Sequence, residues 1–159
     1  MDSREIGEVL RKCELFSGLS EAQVDTIAGI GRTEDFDAGE ALYAQGDVGS
    51  KVYVLVRGRV SLIRAMELGG RRTGNVVVYV VKEKPNRRLM GGWCTLVGEP
   101  HVQMCSALCD APTRVVSFPC EELRKAIVRD PVLGVKLLEK LFLILRDRIE
   151  GSYAVMETM

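Results

Sequence analysis

Residues 33–118 constrain this chain more than any other stretch. Short strand-like runs alternate there with glycine turns, and helical text stands only on either side. Residues 51–63, KVYVLVRGRVSLI, are the strongest strand text, with Gly58 as a break or turn. Residues 66–74 read as a charged hairpin connection, 75–81 as a β-branched strand, 82–88 (KEKPNRR) as a solvated loop and 113–118 as a last strand. Many short strands at regular spacing suggest a sandwich or barrel.

The flanks are helical. Ile6, Val9, Leu10 and Cys13 fall at helical spacing and predict a helix over 6–16. Ser20 and Gln23 form a capping box for a second helix, with Leu19 and Val24 as a hydrophobic staple. After the strands, Pro119 can open a helix to about residue 128, and Asp130-Pro131 starts a longer one over 132–152. That last helix carries two apolar stripes. Val135, Leu138, Phe142, Leu145 and Ile149 step as a coiled-coil seam does, and Leu133, Leu137, Leu141 and Ile144 form the other. One roll of strands does not easily bury both, so a second chain is expected on one of them. Periodicity leaves open which stripe faces which way.

The composition excludes several classes. Hydrophobic residues make up 47% of the 159 residues, enough for a core. Lys+Arg and Asp+Glu are both 22, so there is no basic excess for nucleic acid. No apolar run reaches the ~18 residues of a membrane span, and the first residues lack an apolar signal core. A cytoplasmic location is expected. Five cysteines at irregular spacing do not make a disulfide framework, and no metal is expected. Phosphate-loop motifs are absent, and a lone histidine leaves no Ser–His–Asp set. An enzyme is not expected.

Helices, a glycine-punctuated roll, then two helices: the order resembles the cyclic nucleotide-binding domain. The residues resemble it too, in Leu15-Phe16-Ser17-Gly18-Leu19-Ser20, Ala38-Gly39-Glu40, Gln45-Gly46-Asp47 and Tyr53-Val54-Leu55-Val56-Arg57-Gly58-Arg59-Val60. The resemblance covers roughly residues 10 to 150. It implies an α+β, mainly β fold: a double-stranded, jelly-roll-like β-roll over 33–118, N-terminal helices over 5–31 and C-terminal helices over 120–152, as a single domain of 1–159. It also implies a regulatory or signal-transduction role and a homodimer along the long helix. Catabolite-activator-like relatives carry a helix-turn-helix after that helix. Residues 151–159 are too short for one, so this chain alone is not expected to read DNA.

The family's phosphate cassette has Gly-Glu near its start and Arg about nine or ten residues later. The Glu takes the ribose hydroxyl and the Arg takes the cyclic phosphate. Here Met90-Gly91-Gly92 aligns with the start, so Gly92 replaces the Glu. His101-Val102-Gln103 stands where Arg-Ser-Ala is expected. Taking Gly98-Glu99 as the start leaves no arginine at the right distance. Gly91, Gly92, Trp93, Cys94, His101, Val102 and Gln103 are therefore a degenerate binding cassette that keeps a backbone cradle. Hydrogen bonds to charged groups are worth ~1.5–3 kcal/mol each, so losing both anchors weakens binding by roughly 10² to 10⁴.

The function expected is a non-catalytic regulatory domain acting through dimerisation or a protein partner, without a resident cofactor. The alternative is a signalling domain that takes a cyclic nucleotide or small anion in a changed mode. A redox or haem sensor built on Cys94, Cys105, Cys109 and His101 is a further reading, against buried small hydrophobes for the cysteines. His101 reads as a surface loop residue, against a pH-sensitive anion contact. Trp93 reads as packing beneath the cassette, against filling the space of a purine.

Overall fold

The structure, a computed structural model, describes residues 1–158, without the side chain of Asn86. Helix α1 spans Ser3–Lys12 and is closed at its start by Asp2 and Glu5, each accepting the other's backbone N–H at 2.8 and 2.7 Å. It stops at Cys13, and a 3-10 turn, Glu14–Phe16, follows. The single helix expected over 6–16 is thus broken. Leu15 lies five positions past Leu10, off the apolar face of a continuous helix; the break turns it inward, where Leu15 and Phe16 are both 1% exposed. Helix α2, Glu21–Ile30, has the expected capping box, Gln23 N–H to Ser20 Oγ at 3.2 Å and Ser20 N–H to Gln23 Oε1 at 3.0 Å.

Eight strands follow: β1 Arg32–Phe36, β2 Ala41–Tyr43, β3 Lys51–Arg57, β4 Val60–Leu68, β5 Arg71–Val81, β6 Leu89–Gly91, β7 Ser106–Cys109 and β8 Thr113–Pro119. They form two four-stranded antiparallel sheets, ordered β1-β8-β3-β6 and β2-β7-β4-β5. The connection expected over 66–74 is instead mostly strand. β4 and β5 stay paired out to Leu68 and Arg71, and only Gly69 and Gly70 turn, both at positive φ as a two-residue hairpin turn needs. Residues 82–88 are not simply a solvated loop either. Arg88 is buried, and its Nη1 donates to the carbonyls of Leu55 (2.9 Å) and Val56 (3.2 Å).

Alternation along β3 divides the core. Val52 and Val54 face the helices and pack with Leu10, Phe16, Ile27 and Phe118; Tyr53 and Leu55 face the roll interior with Val60, Met90 and Val115. Helix α3, Cys120–Arg129, leads to α4, Pro131–Glu157, which runs past the expected end at 152. Asp130 caps α4 by accepting the Leu133 N–H at 3.2 Å.

The two stripes of α4 separate. Leu133, Leu137, Leu141 and Ile144 are buried on the domain. The expected seam divides: Leu138 and Leu145 lean on the domain's own core, whereas Val135, Phe142 and Ile149 face outward. A heptad turns the same face of a helix outward each time, and Met156 continues the outward series. Among the described residues no helix is long and apolar enough to cross a membrane.

Candidate functional site

The cassette begins where β6 ends. Gly92 N–H donates to the Lys51 carbonyl at 2.8 Å, and Gly92 O accepts the Thr95 hydroxyl at 2.6 Å and the Thr95 N–H at 3.2 Å. The Cys120 thiol reaches the same carbonyl at 3.5 Å. Trp93–Val97 is a five-residue 3-10 turn closed by Gly98 in the left-handed region. Within the expected cradle, the amides of Gly92 and Thr95 already serve internal carbonyls.

Residues 101–103 pair with the loop before β3. Gly49 N–H donates to His101 O at 2.7 Å, Gln103 N–H to Asp47 O at 2.8 Å and Gly46 N–H to Gln103 O at 2.8 Å. Val48 and Val102 form a bridge between them. The extended pairing sends alternate side chains to opposite sides. His101 and Gln103 go in, at 6% and 5% exposure, and Val102 goes out at 57%. The surface reading of His101 is corrected: its ring lies edge-on to Trp93 at 6.1 Å and is hydrogen-bonded to Gln103. Burial holds its pKa below the ordinary histidine value, opposed by the Gln103 hydrogen bond. It is thus mostly neutral near pH 7 and makes no permanent charge for a phosphate.

Gly49 and Gly92 are close neighbours across the cassette. Their backbones cross so closely that a Cβ on Gly92 would stand 3.0–3.1 Å from the Gly49 backbone. A Cβ on Gly49 would in turn meet Gln103 Nε2 at 2.8 Å, Gly92 Cα at 2.9 Å and His101 Cδ2 at 3.0 Å. No glutamate side chain leaves position 92 without moving one of the two backbones.

Opposite the cassette, α4 contributes a residue that the sequence reading missed. Arg148 lays its guanidinium on Tyr79, 3.6 Å from the ring centre, and 5.5 Å from the centre of Trp93. Its Nη2 donates to Leu89 O in β6. Desolvation lowers its pKa, offset by Tyr79 and Tyr43, yet a guanidinium keeps its proton. Arg87 approaches the same Tyr79 ring at 5.1 Å. The signal was present: Arg148 continues the buried stripe Leu133, Leu137, Leu141 and Ile144 by one further step of four. Trp93 is half-buried against the helical core and borders both His101 and Arg148.

The cysteines do not gather. Cys94 is half-buried in the cassette turn, Cys105 half-buried and Cys109 buried against the roll interior. Burial pushes the thiols of Cys105, Cys109 and Cys120 up, away from the thiolate that metal binding and redox chemistry need. Among the described residues no three His, Cys, Asp or Glu side chains are grouped to hold a metal.

A solved cyclic nucleotide-binding domain from Methylobacillus flagellatus superposes with a TM-score of 0.78 at 20% identity, over 98% of this chain and 83% of that one. The chain has the cyclic nucleotide-binding fold. The sensor domain of the transcriptional regulator DNR from Pseudomonas aeruginosa is similar as well, with a TM-score of 0.71 at 21% identity over 93% of each chain. Among curated proteins, the global nitrogen regulator of Synechococcus elongatus is 29% identical over 126 residues, 79% of this chain and 52% of that protein. This chain spans about half the length of the curated relatives it matches. No family model matches.

Proposed function

We propose that this chain is a non-catalytic regulatory domain that does not hold cAMP or cGMP in the usual mode and acts through pairing of α4 with a second copy. The crossing of Gly49 and Gly92 carries the first half of this reading, because it closes the place of the ribose-binding glutamate. His101 supports it, since a buried neutral imidazole replaces the phosphate-binding arginine that the resemblance implies. The matched proteins are named as regulators and sensor domains, which fits a domain that signals rather than catalyses. The outward series Val135, Phe142, Ile149 and Met156, each more than half exposed, supports the pairing.

Thermal shift tests the reading. A ligand that binds only the folded state stabilises it by RT ln(1 + [L]/Kd), about 4.1 kcal/mol at 1,000 Kd. For a domain of this size each kcal/mol moves Tm by roughly 2–4 °C. A micromolar ligand at millimolar concentration would therefore raise Tm by about 8–16 °C. We expect cAMP and cGMP at that concentration to shift Tm by no more than about 2 °C, and a shift of the larger size would refute the proposal.

A further inference from the structure

We propose that the outer edge of β5 is a docking site for an acidic, extended peptide segment of a partner protein, which joins the sheet as an added strand.

β5 is the last strand of its sheet. Among the described residues β4 is its one strand neighbour, so the edge turned away from β4 pairs with no strand. Such an edge is a template for another chain, and proteins blunt it with short strands, charges, proline or bulges. β5 is the longest of the eight strands, at 11 residues. Between Arg72 and Lys82 it carries neither proline nor charge. Its ladder with β4 shifts register twice, and residues from Gly74 to Val77 pair regularly between the shifts. Residues 76–81, VVVYVV, are β-branched or aromatic throughout, as suits a strand.

The edge opens into a cleft. Val77, Val78, Tyr79 and Val80 line a cavity of about 460 Å³ against Gly151 and Val155 of α4. Successive side chains of a strand point to opposite faces. Four consecutive residues therefore share one cleft only where it looks onto the backbone edge. Gly151 and Val155 stand about one helical turn apart and form a single wall. A Cβ on Gly151 would meet nothing within 4 Å. Glycine there keeps the wall back from the strand and leaves room for a second backbone.

Charge selects the occupant. Arg71 and Arg72 stand at the hairpin end of β5, and Lys82, Lys84 and Arg87 follow its other end. Among the described residues none of the five takes part in an ion pair. Arg72 Nη2 donates to Asn75 Oδ1 at 3.3 Å, and Arg87 lies over the Tyr79 ring at 5.1 Å. Few acids answer them. Glu67 lies opposite Arg72 in the ladder, Glu83 accepts the Gly58 N–H at 3.4 Å, and Asp147 at the cleft is held by Arg146 at 3.0 Å. In a chain whose charges balance overall, both ends of this edge are basic. The complement is a strand with acidic ends and an apolar middle. At ~3.3 Å per residue, residues 73–81 span roughly 30 Å, the reach of an extended segment of about nine residues. In strand addition the main-chain hydrogen bonds give affinity, and alternate side chains give specificity.

The probe is a fluorescein-labelled peptide of alternating valine and threonine between two pairs of aspartates. It is titrated with the whole chain and read by anisotropy, and saturable binding is expected. The same peptide N-methylated at every valine and threonine keeps its charges and loses its backbone donors, so it should bind at least tenfold more weakly. Arg71→Glu/Arg72→Glu, at the exposed hairpin end, should also weaken binding at least tenfold. Gly151→Leu should block the cleft without lowering the unfolding midpoint, since leucine suits a helix better than glycine. Absence of saturable binding by the parent peptide overturns the proposal. An unchanged affinity after N-methylation, in Gly151→Leu or in the charge-reversed protein overturns it too. Equally tight binding of a thymidine oligonucleotide of the same charge overturns it in favour of single-stranded nucleic acid.

Discussion

The outward face of α4 gives the sharpest contrast between two neighbouring residues. Phe142 is 71% exposed in the single chain, whereas Leu141 beside it is 6% exposed on the domain core. Fully burying a large apolar side chain contributes ~1.5–3 kcal/mol. Scaled to the exposed part of Phe142, pairing α4 with a second copy gains about 1–2 kcal/mol per chain. Twofold symmetry counts the contact twice, which gives about 2–4 kcal/mol per dimer, or roughly 30- to 1,000-fold in the dimer Kd. Phe142→Ala should therefore shift sedimentation toward monomer at micromolar concentration while the midpoint of unfolding of the monomeric form stays nearly unchanged. Leu141→Ala should do the reverse, costing about 2–5 kcal/mol of folding stability through the cavity it leaves. A wild type that sediments as a monomer at all accessible concentrations sinks the pairing. A Phe142→Ala protein that stays dimeric while losing folding stability would mean that the outward face has been misassigned.

Three further outcomes follow from the site. Gly92→Glu should destabilise the fold by about 1–3 kcal/mol, as overpacking does, because its Cβ presses on the Gly49 backbone; denaturant titration reads this. For the same reason Gly92→Glu combined with His101→Arg should not restore cAMP binding, and calorimetry showing clear gain would mean that the crossing opens readily. His101 has a folded pKa below its unfolded value, so the unfolded state binds more protons between the two. Its stability contribution is full above about pH 6.5 and is lost as pH falls from there through the depressed folded value. His101→Gln should flatten that part of the stability–pH curve, and an unchanged slope would contradict the burial argument.

The fold was legible where local chemistry decides it. The Ser20–Gln23 capping box, the Asp130-Pro131 start of α4 and the strand runs on either side of Gly58 all use short-range signals, and the structure has each of them. The errors lie where tertiary contact overrides local text. Cys13 interrupts a good helical pattern because Leu15 is needed in the core. Charged residues 66–74 read as a hairpin connection, yet a two-glycine turn suffices and the strands continue to it. Arg88 sits in a polar run but is buried by carbonyls of β3 that no local pattern reveals. At the site, the expectation that Gly92 and His101 stand in place of the Glu and the Arg comes from the order of residues alone. The crossing with Gly49 was not, because it joins positions more than forty residues apart. His101 looked exposed beside Pro100, but its extended pairing with 46–49 turns the ring inward. Arg148 was readable in principle as a charge on an apolar stripe.

The central claim is that this roll has given up the usual grip on a cyclic nucleotide. Isothermal titration calorimetry of the wild-type chain with cAMP, repeated with cGMP, tests it most directly. The proposed reading predicts no saturable heat below about millimolar concentration, given the roughly 10² to 10⁴ loss expected if both side-chain anchors are absent. A saturable isotherm with a micromolar Kd for either nucleotide would contradict it.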